Sequence, residues 1–173
     1  REVSDNRMYL NRLNNYIECT IQNILHLLLS KEYIVLKDNN VYELTDKGII
    51  ASKINESHSL ITAELIYSKK LDNLSINNLI CLFSCFTKVN VSSDLKLDFP
   101  PNIMYLDDVL ECYNIYLKEQ SSYEEINDIN IDNNKYILNY DIIELVNEWC
   151  NSEDEIECKR VLELLNEKEI FTG

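Results

Sequence analysis

The residues of this chain that could bind a metal or act as nucleophiles are few, and their spacing matches no common metal-binding or catalytic motif. Six cysteines stand at positions 19, 81, 85, 112, 150 and 158, and no two of them form a Cys-x-x-Cys pair. Neither histidine, His26 or His58, has a metal-ligand spacing to a cysteine. Neighbouring acids such as Asp107 and Asp108 diverge on a helix, so they cannot converge on one substrate. The sequence therefore predicts no catalytic residue and no metal ligand here.

Nucleotide-binding motifs are also missing from the sequence. The chain has two glycines, Gly48 and Gly173, and neither belongs to a Gly-x-x-x-x-Gly-Lys loop that could cradle phosphates. It contains no Asp-Glu-x-Asp or Asp-Glu-x-His box, no Gly-x-Ser-x-Gly and no His-Glu-x-x-His. We therefore expect no cofactor-binding residue and no ATP site within these residues.

Charge is distributed very unevenly along the chain. The formal net charge is −14, and residues 107–173 hold 5 basic against 18 acidic side chains. Residues 1–106 are almost neutral, with 11 basic and 12 acidic side chains. An acidic second part repels phosphate backbones, so a strong stand-alone nucleic-acid binder is not expected. Its acidic surface is either a solvated helix face or a surface for a basic partner.

The first secondary-structure elements that the sequence predicts are an amphipathic helix and a hairpin. Apolar residues recur at spacings of three and four along one helical face; they are Leu10, Leu13, Ile17, Ile21, Ile24 and Leu28. Two short strand-like runs follow within about residues 33–44, and Asp38-Asn39-Asn40 between them is typical of a hairpin turn. Helix, hairpin and a further helix together predict a winged-helix-like segment over residues 1–56.

Helical periodicity dominates the rest of the chain and predicts an α-helical bundle over residues 57–173. The candidate N-caps of its helices are Ser57 or Ser59, Ser75, Asn102, Asn139 or Asp141, and Ser152. The predicted fold class is thus mainly α, with a single β-hairpin before the bundle. The helix around residues 79–86 is apolar almost all round, which predicts a central position. We expect Trp149, with Leu145 and Val146, to be buried against that helix, at Leu82, Phe83 and Phe86.

A strand-to-helix junction at residues 44–52 (LTDKGIIAS) is the most informative segment. Thr45 is placed to cap a helix, and Asp46 follows where a negative charge suits the helix dipole. Gly48 stands in the first helical turn, where a missing side chain allows another part of the chain to approach closely. The pattern is compatible with any capped strand-turn-helix. It also resembles the junction between winged helix and helical bundle in DExH-box RNA helicases of superfamily 2.

Further motifs extend this resemblance to about residues 42–173. Three segments resemble the opening of the C-terminal helical (DSHCT) domain of Ski-like, exosome-associated RNA helicases: 61–66 (ITAELI), 71–75 (LDNLS) and 79–86 (LICLFSCF). Residues 141–150 (DIIELVNEWC) resemble its tryptophan-containing helix, and residues 170–173 (IFTG) fall where that family has Val-Phe-Glu-Gly. Thr172 departs from the family's glutamate. Each motif is short, and the specificity comes from their common order and spacing.

The resemblance implies a function that this chain would serve only as part of a larger enzyme. In that family the domain packs on two motor domains in cis and lines the path of single-stranded RNA, and ATP and Mg²⁺ are used by the motor. Exosome-type adaptor proteins are further partners that it implies. Lys88 and Asn90 match RNA-proximal positions of the family loosely, and a solvated loop is the alternative for both. The first residue, Arg1, and the end at Gly173, before the family's RNA-facing arginine, lead us to expect a truncated C-terminal piece.

Two other functional classes remain open on the sequence. One is a winged-helix interaction or nucleic-acid-binding module without enzymatic activity, although Arg7, Arg12 and Lys31 make a thin recognition surface. The other is a DNA-unwinding relative within the same superfamily. The apolar runs are too short to span a bilayer, and the cysteine pattern is typical of a reducing, intracellular compartment, nuclear or cytoplasmic.

Overall fold

A computed structural model describes residues 2–89, 91, 96–127, 129, 131–167 and 170, with side chains described from residue 15 onward. Its helices are α1 (Glu2–Ser30), α2 (Asp46–Ala51), α3 (Ser59–Tyr67), α4 (Ile76–Ser84), α5 (Asp107–Ile126), α6 (Ile143–Asn151) and α7 (Glu155–Glu167). A 3-10 turn covers Asn133–Tyr136. The strands β1 (Ile34–Leu36) and β2 (Tyr42–Leu44) form one antiparallel pair. The mainly α prediction with a single hairpin is confirmed for the described residues.

The hairpin is built by the predicted asparagine turn. Asn40 has a φ of 58°, in the left-handed region that asparagine tolerates, and the Asn39 Oδ1 accepts a hydrogen bond from the Val41 N–H at 3.3 Å. The strands pair with Ile34 opposite Leu44. Each strand has only three residues, so the hairpin depends on its neighbours for stability.

The bundle has one apolar core centred on α5. Its most completely buried side chains come from four helices and a loop; they are Leu65, Cys81, Leu82, Cys85, Leu106, Leu110, Tyr113 and Ile143. Phe86 packs on Tyr113 with ring centroids 5.5 Å apart. Because α3, α4, α5 and α6 all contribute, this core fixes the bundle as a unit.

The expected burial of Trp149 is wrong. Helices α4 and α6 do pack together, but Trp149 is 54 % exposed and Phe83 is also 54 % exposed. Of the residues expected with it, Leu145 is buried and Val146 packs against the core. Polar contacts also join the two helices: the Asn77 Nδ2 donates to the Cys150 carbonyl, and Asn147 Oδ1 lies 3.9 Å from the Cys81 sulfur.

Helix α4 is not enclosed on all sides, which corrects the expectation of a central position. Ile76, Ile80 and Phe83 are spaced four and three residues apart and form one exposed stripe. Its opposite face, with Cys81, Leu82 and Cys85, is buried in the core. Apolar composition alone does not distinguish a central helix from a helix that has one buried face and one exposed apolar face.

The predicted apolar face of α1 is real, but most of its described part is not covered. Ile17, Ile21 and Ile24 are exposed, while Leu27 is buried and Leu28 packs against a small second core. Only the last turns of α1 therefore meet the rest of the described chain. The small core consists of Tyr33, Ala51 and Ala63 with their neighbours.

Several helix starts differ from the predicted caps. Ser75 caps α4 as predicted, since its hydroxyl accepts from the Asn78 N–H. Helix α3 is capped by His58, because the Ser57 hydroxyl is bonded to Thr62. Helices α5 and α6 begin at Asp107 and Ile143 without a side-chain cap, so Asn102, Asn139 and Asp141 are not N-caps. At the start of α7 the capping side chain is that of Asp154 and not that of Ser152, since the Asp154 carboxylate accepts from the N–H groups of Ile156 and Glu157.

Candidate functional site at the junction of hairpin and bundle

The predicted roles of Thr45 and Gly48 are confirmed by the junction geometry. The Thr45 hydroxyl caps α2 by accepting from the Gly48 N–H at 3.1 Å, and it lies 2.6 Å from the Glu32 carbonyl. Gly48 touches the Tyr33 backbone so closely that an added Cβ would overlap the Tyr33 carbonyl oxygen. The glycine is required because α2 packs directly on the backbone entering β1.

Lys47 is the buried charge at the centre of the junction. Only 6 % of the residue is exposed. Its Nζ donates to the Lys31 carbonyl at 2.9 Å, forms an ion pair with Glu64 and lies 4.3 Å from the centroid of the Tyr33 ring. Lys31 and Tyr33 lie in the turn between α1 and β1, and Glu64 lies in α3, so one ammonium group joins the hairpin segment to the bundle.

Tyr33 completes the connection between the two parts. Its hydroxyl donates to the Leu60 carbonyl at 2.7 Å. Burial raises the pKa of Tyr33 well above its usual value, and the nearby Glu64 carboxylate adds to that rise. Tyr33 therefore serves as a neutral hydrogen-bond donor at the junction.

A cleft of about 500 Å³ opens beside these residues. Its walls come from α1, the turn before β1, α2, α3 and α5; they include Tyr33, Lys47, Glu64, Tyr116, Glu119 and Tyr123. Tyr123 also ties α5 to α1, because its hydroxyl lies 3.2 Å from His26 Nδ1. The cleft is thus a shared feature of the hairpin segment and the bundle.

His58 stands just behind this junction and is almost fully buried. Its Nδ1 faces the Ile61 N–H at 3.5 Å, which makes it the acceptor that caps α3. The ring contacts Tyr136 edge-on, with centroids 4.8 Å apart. Burial lowers the pKa of His58 below its usual value, although the Glu124 carboxylate opposes that shift. A neutral imidazole suits its capping role.

Of the two predicted RNA-proximal residues, the structure describes Lys88. Lys88 is exposed beyond the end of α4, and Asn90 lies outside the described residues. The neighbourhood of Lys88 is tied to the core: the Asn139 N–H donates to the Cys85 carbonyl, and the Leu97 N–H donates to Asp141 Oδ1, both at 2.8 Å. Lys96, next to Leu97, is a second exposed cation that the motif comparison did not single out.

Sequence reasoning also missed the importance of Lys47 and Glu64. The sequence did offer a sign that Lys47 is unusual, because it stands between Asp46 and Gly48 at the start of a short, Thr45-capped helix that is otherwise apolar. No pattern in the sequence indicated that Glu64, seventeen residues later, would pair with it. In the described part of the chain, no group of three His, Cys, Asp or Glu side chains is arranged to hold a metal, and no helix could span a membrane.

All six cysteines belong to the described residues, and all six are free thiols. Burial raises the pKa of Cys81 to about 11 and that of Cys85 to about 12. Neither thiol therefore ionises readily at neutral pH, which disfavours a nucleophilic role.

Comparison with known proteins now assigns the chain to a family. The family model for the DSHCT (NUC185) domain matches residues 41–166, which is more than half of the chain. The match begins in the hairpin and ends in α7, so it includes Thr45, Lys47 and Gly48 of the junction and the main core of the bundle, while Tyr33 precedes it. No curated protein matches the chain. The chain belongs to the DSHCT family, the C-terminal domain of Ski-like helicases.

Proposed function

We propose that this chain is the C-terminal accessory region of an ATP-dependent DExH-box RNA helicase, where it packs on the motor core and guides single-stranded RNA. Membership of the DSHCT family is the observation that carries the proposal. Exosome-type adaptor proteins and a reducing nuclear or cytoplasmic compartment belong to the same proposal.

The exposed apolar surface of the N-terminal segment supports packing on a motor core in cis. Besides Ile17, Ile21 and Ile24 on α1, the hairpin side chains Val35, Leu36, Val41, Tyr42 and Leu44 are all at least 39 % exposed. We call these eight residues the N-terminal apolar surface; those on the hairpin stand on both of its faces, since successive strand side chains point to opposite sides. So many exposed apolar side chains in one segment favour another surface that covers them.

ATP and Mg²⁺ would be bound by the motor domains and not by this chain. Gly48 is the one glycine among the described residues, and its open side is filled by the Tyr33 carbonyl. It therefore cannot cradle a phosphate. The described carboxylates form no metal-binding group. The chain's part in the enzyme is to position RNA and stabilise the motor.

RNA guidance is supported by the region beyond α4. Lys88 is an exposed ammonium group just beyond α4, whose outer face carries Phe83, and Lys96 is a second exposed ammonium group later in the chain. Ammonium groups neutralise phosphates, and exposed aromatic rings provide surfaces on which unpaired bases stack. Asn90, close to Lys88 in sequence, remains a candidate contact. Hydrogen bonds at Cys85 and Leu97 attach the described residues on either side to the bundle.

A charge reversal in the intact protein tests RNA guidance. Lys88→Glu should lower RNA-stimulated ATP hydrolysis while leaving the melting temperature unchanged, because Lys88 is exposed and outside the core. The matched control is Lys53→Glu, which makes the same charge change at an exposed position in the loop after α2. Equal activity of the two variants would refute a role for Lys88.

The same experiment series separates the alternative of an independent nucleic-acid-binding module. The isolated chain, with its charge of −14, should bind single-stranded RNA weakly or not at all. Tight binding by the isolated chain, with a steep dependence on salt, would favour the independent module instead.

A further inference from the structure

The cleft at the junction of hairpin and bundle is a ligand site in its own right. We propose that it binds an organic cation, an alkylammonium or guanidinium group, between α3 and α5. The inference rests on the cleft's side chains and volume and does not depend on the proposed role in a helicase.

The cleft already holds one such cation from its own chain. The Lys47 ammonium is surrounded by the Tyr33 ring, the Glu64 carboxylate and the Lys31 carbonyl. An aromatic face, a carboxylate and a carbonyl are the groups that replace water around an ammonium or guanidinium ion. The chemistry of the walls is therefore suited to cations.

The other side of the cleft offers the same chemistry without an internal cation. Tyr116 is partly buried, and the carboxylates of Glu64 and Glu119 lie near its hydroxyl. Among the described residues, neither the Tyr116 hydroxyl nor the Glu119 carboxylate has a hydrogen-bond or ion-pair partner. A carboxylate and an aromatic ring thus remain free to receive a second cation.

The charge balance of the lining favours a cation over an anion. Lys47 is neutralised by Glu64, and at the rim the exposed Lys31 is offset by its neighbour Glu32. Glu119 is then left as the uncompensated charge. The surrounding chain is also acidic, with a net charge of −14, which raises the local concentration of cations.

The volume of about 500 Å³ admits more than an isolated amine. It accommodates a long aliphatic chain with a charged end. Two sources share that chemistry: a free polyamine, and an arginine or lysine side chain on a peptide segment. The experiment therefore uses one probe for each.

The test titrates the chain with spermidine and, separately, with the blocked peptide acetyl-Gly-Arg-Gly-amide at physiological salt. Isothermal calorimetry gives the affinity, and backbone amide NMR shifts locate the site. We expect saturable binding of at least one probe, with shifts near Tyr33, Glu64 and Tyr116. The probe that saturates identifies the source.

Paired variants separate a defined site from diffuse attraction to an acidic protein. Glu119→Gln should weaken binding about two- to fivefold, the range for one partly exposed charge. Glu111→Gln removes one negative charge from the same helix, outside the cleft, and should leave the affinity unchanged. Equal weakening by both variants, no saturable binding of either probe, or binding of inorganic phosphate in the cleft would overturn the proposal.

Discussion

The helical bundle and the N-terminal segment differ in the size of the apolar core that each contains. The bundle has one continuous core from α3 to α6, with Leu106, Leu110, Tyr113 and Ile143 fully buried, although some outward-facing side chains such as Phe83 are exposed. The N-terminal segment buries few side chains and leaves most of its described apolar residues exposed. It is attached to the bundle by the small core of Tyr33, Ala51 and Ala63 and by the polar contacts of Lys47 with Glu64 and of Tyr33 with Leu60. The bundle thus holds most of the buried core, whereas more than half of the described apolar side chains of the segment are exposed.

This difference shows that apolar periodicity identifies an apolar face of a helix but does not identify what packs on it. In α5 the covering groups belong to the same chain. In α1 and the hairpin they are supplied, on our proposal, by the motor core. Substitutions in the bundle core should therefore lower the free energy of unfolding, whereas substitutions in the N-terminal apolar surface should mainly change association with other proteins or domains.

The largest expected effect lies in the bundle core. Leu110→Ala should destabilise the chain by about 2–5 kcal/mol, because Leu110 is fully buried and its truncation leaves a cavity. Trp149→Ala is the contrasting variant and should cost below about 1 kcal/mol, since the indole is half exposed. Urea unfolding followed by circular dichroism measures both. A larger loss for Trp149→Ala would show that α6 packs differently.

Gly48→Ala should give the next effect, a loss of about 1–3 kcal/mol, because the new methyl group would overlap the Tyr33 carbonyl. The control Ser52→Ala lies at the exposed end of α2 and should be near neutral. Hydrogen exchange should show that the loss in Gly48→Ala is concentrated in the hairpin. Full stability of Gly48→Ala would contradict the close approach.

A smaller effect is expected from pH at His58. The pKa of His58 is lower in the folded protein than its usual value of 6.5. The neutral imidazole therefore contributes fully to the free energy of unfolding above pH 6.5, and this contribution is lost as the pH falls through the lower folded pKa. His58→Asn keeps a capping acceptor but cannot titrate. The free energy of unfolding of the wild type should therefore fall more steeply than that of the variant below pH 6.5. Parallel pH profiles would exclude His58 as the source.

The smallest effect on stability should come from the N-terminal apolar surface. Ile21→Ser should change the free energy of unfolding by no more than about 0.5 kcal/mol, since Ile21 is half exposed. In the isolated chain it should also reduce any self-association that sedimentation velocity detects, because it lowers the exposed apolar area. The polar control is Glu18→Ser, at another exposed position of α1.

The sequence predicted the features that depend on local chemistry. The turn at Asn39 and Asn40, the cap at Thr45 and the small residue at Gly48 follow from preferences of those residue types, and the structure confirms them. Trp149 was misplaced because the apolar face of α6 gave no information about which neighbour would cover it. The Lys47–Glu64 pair could not be predicted, since two distant residues meet only when α2 packs on α3. The domain boundary at residues 56 and 57 and the roles of Lys88 and Asn90 stay predictions.

The central claim is that the N-terminal apolar surface is covered by motor domains of the same polypeptide. The most direct test expresses the complete open reading frame containing this chain and compares its hydrogen exchange with that of the isolated chain. If the claim is correct, amides in and around the hairpin at residues 34–44 exchange at least about tenfold more slowly in the complete protein, while the bundle core is unchanged. Equal exchange of the hairpin in both proteins would contradict it.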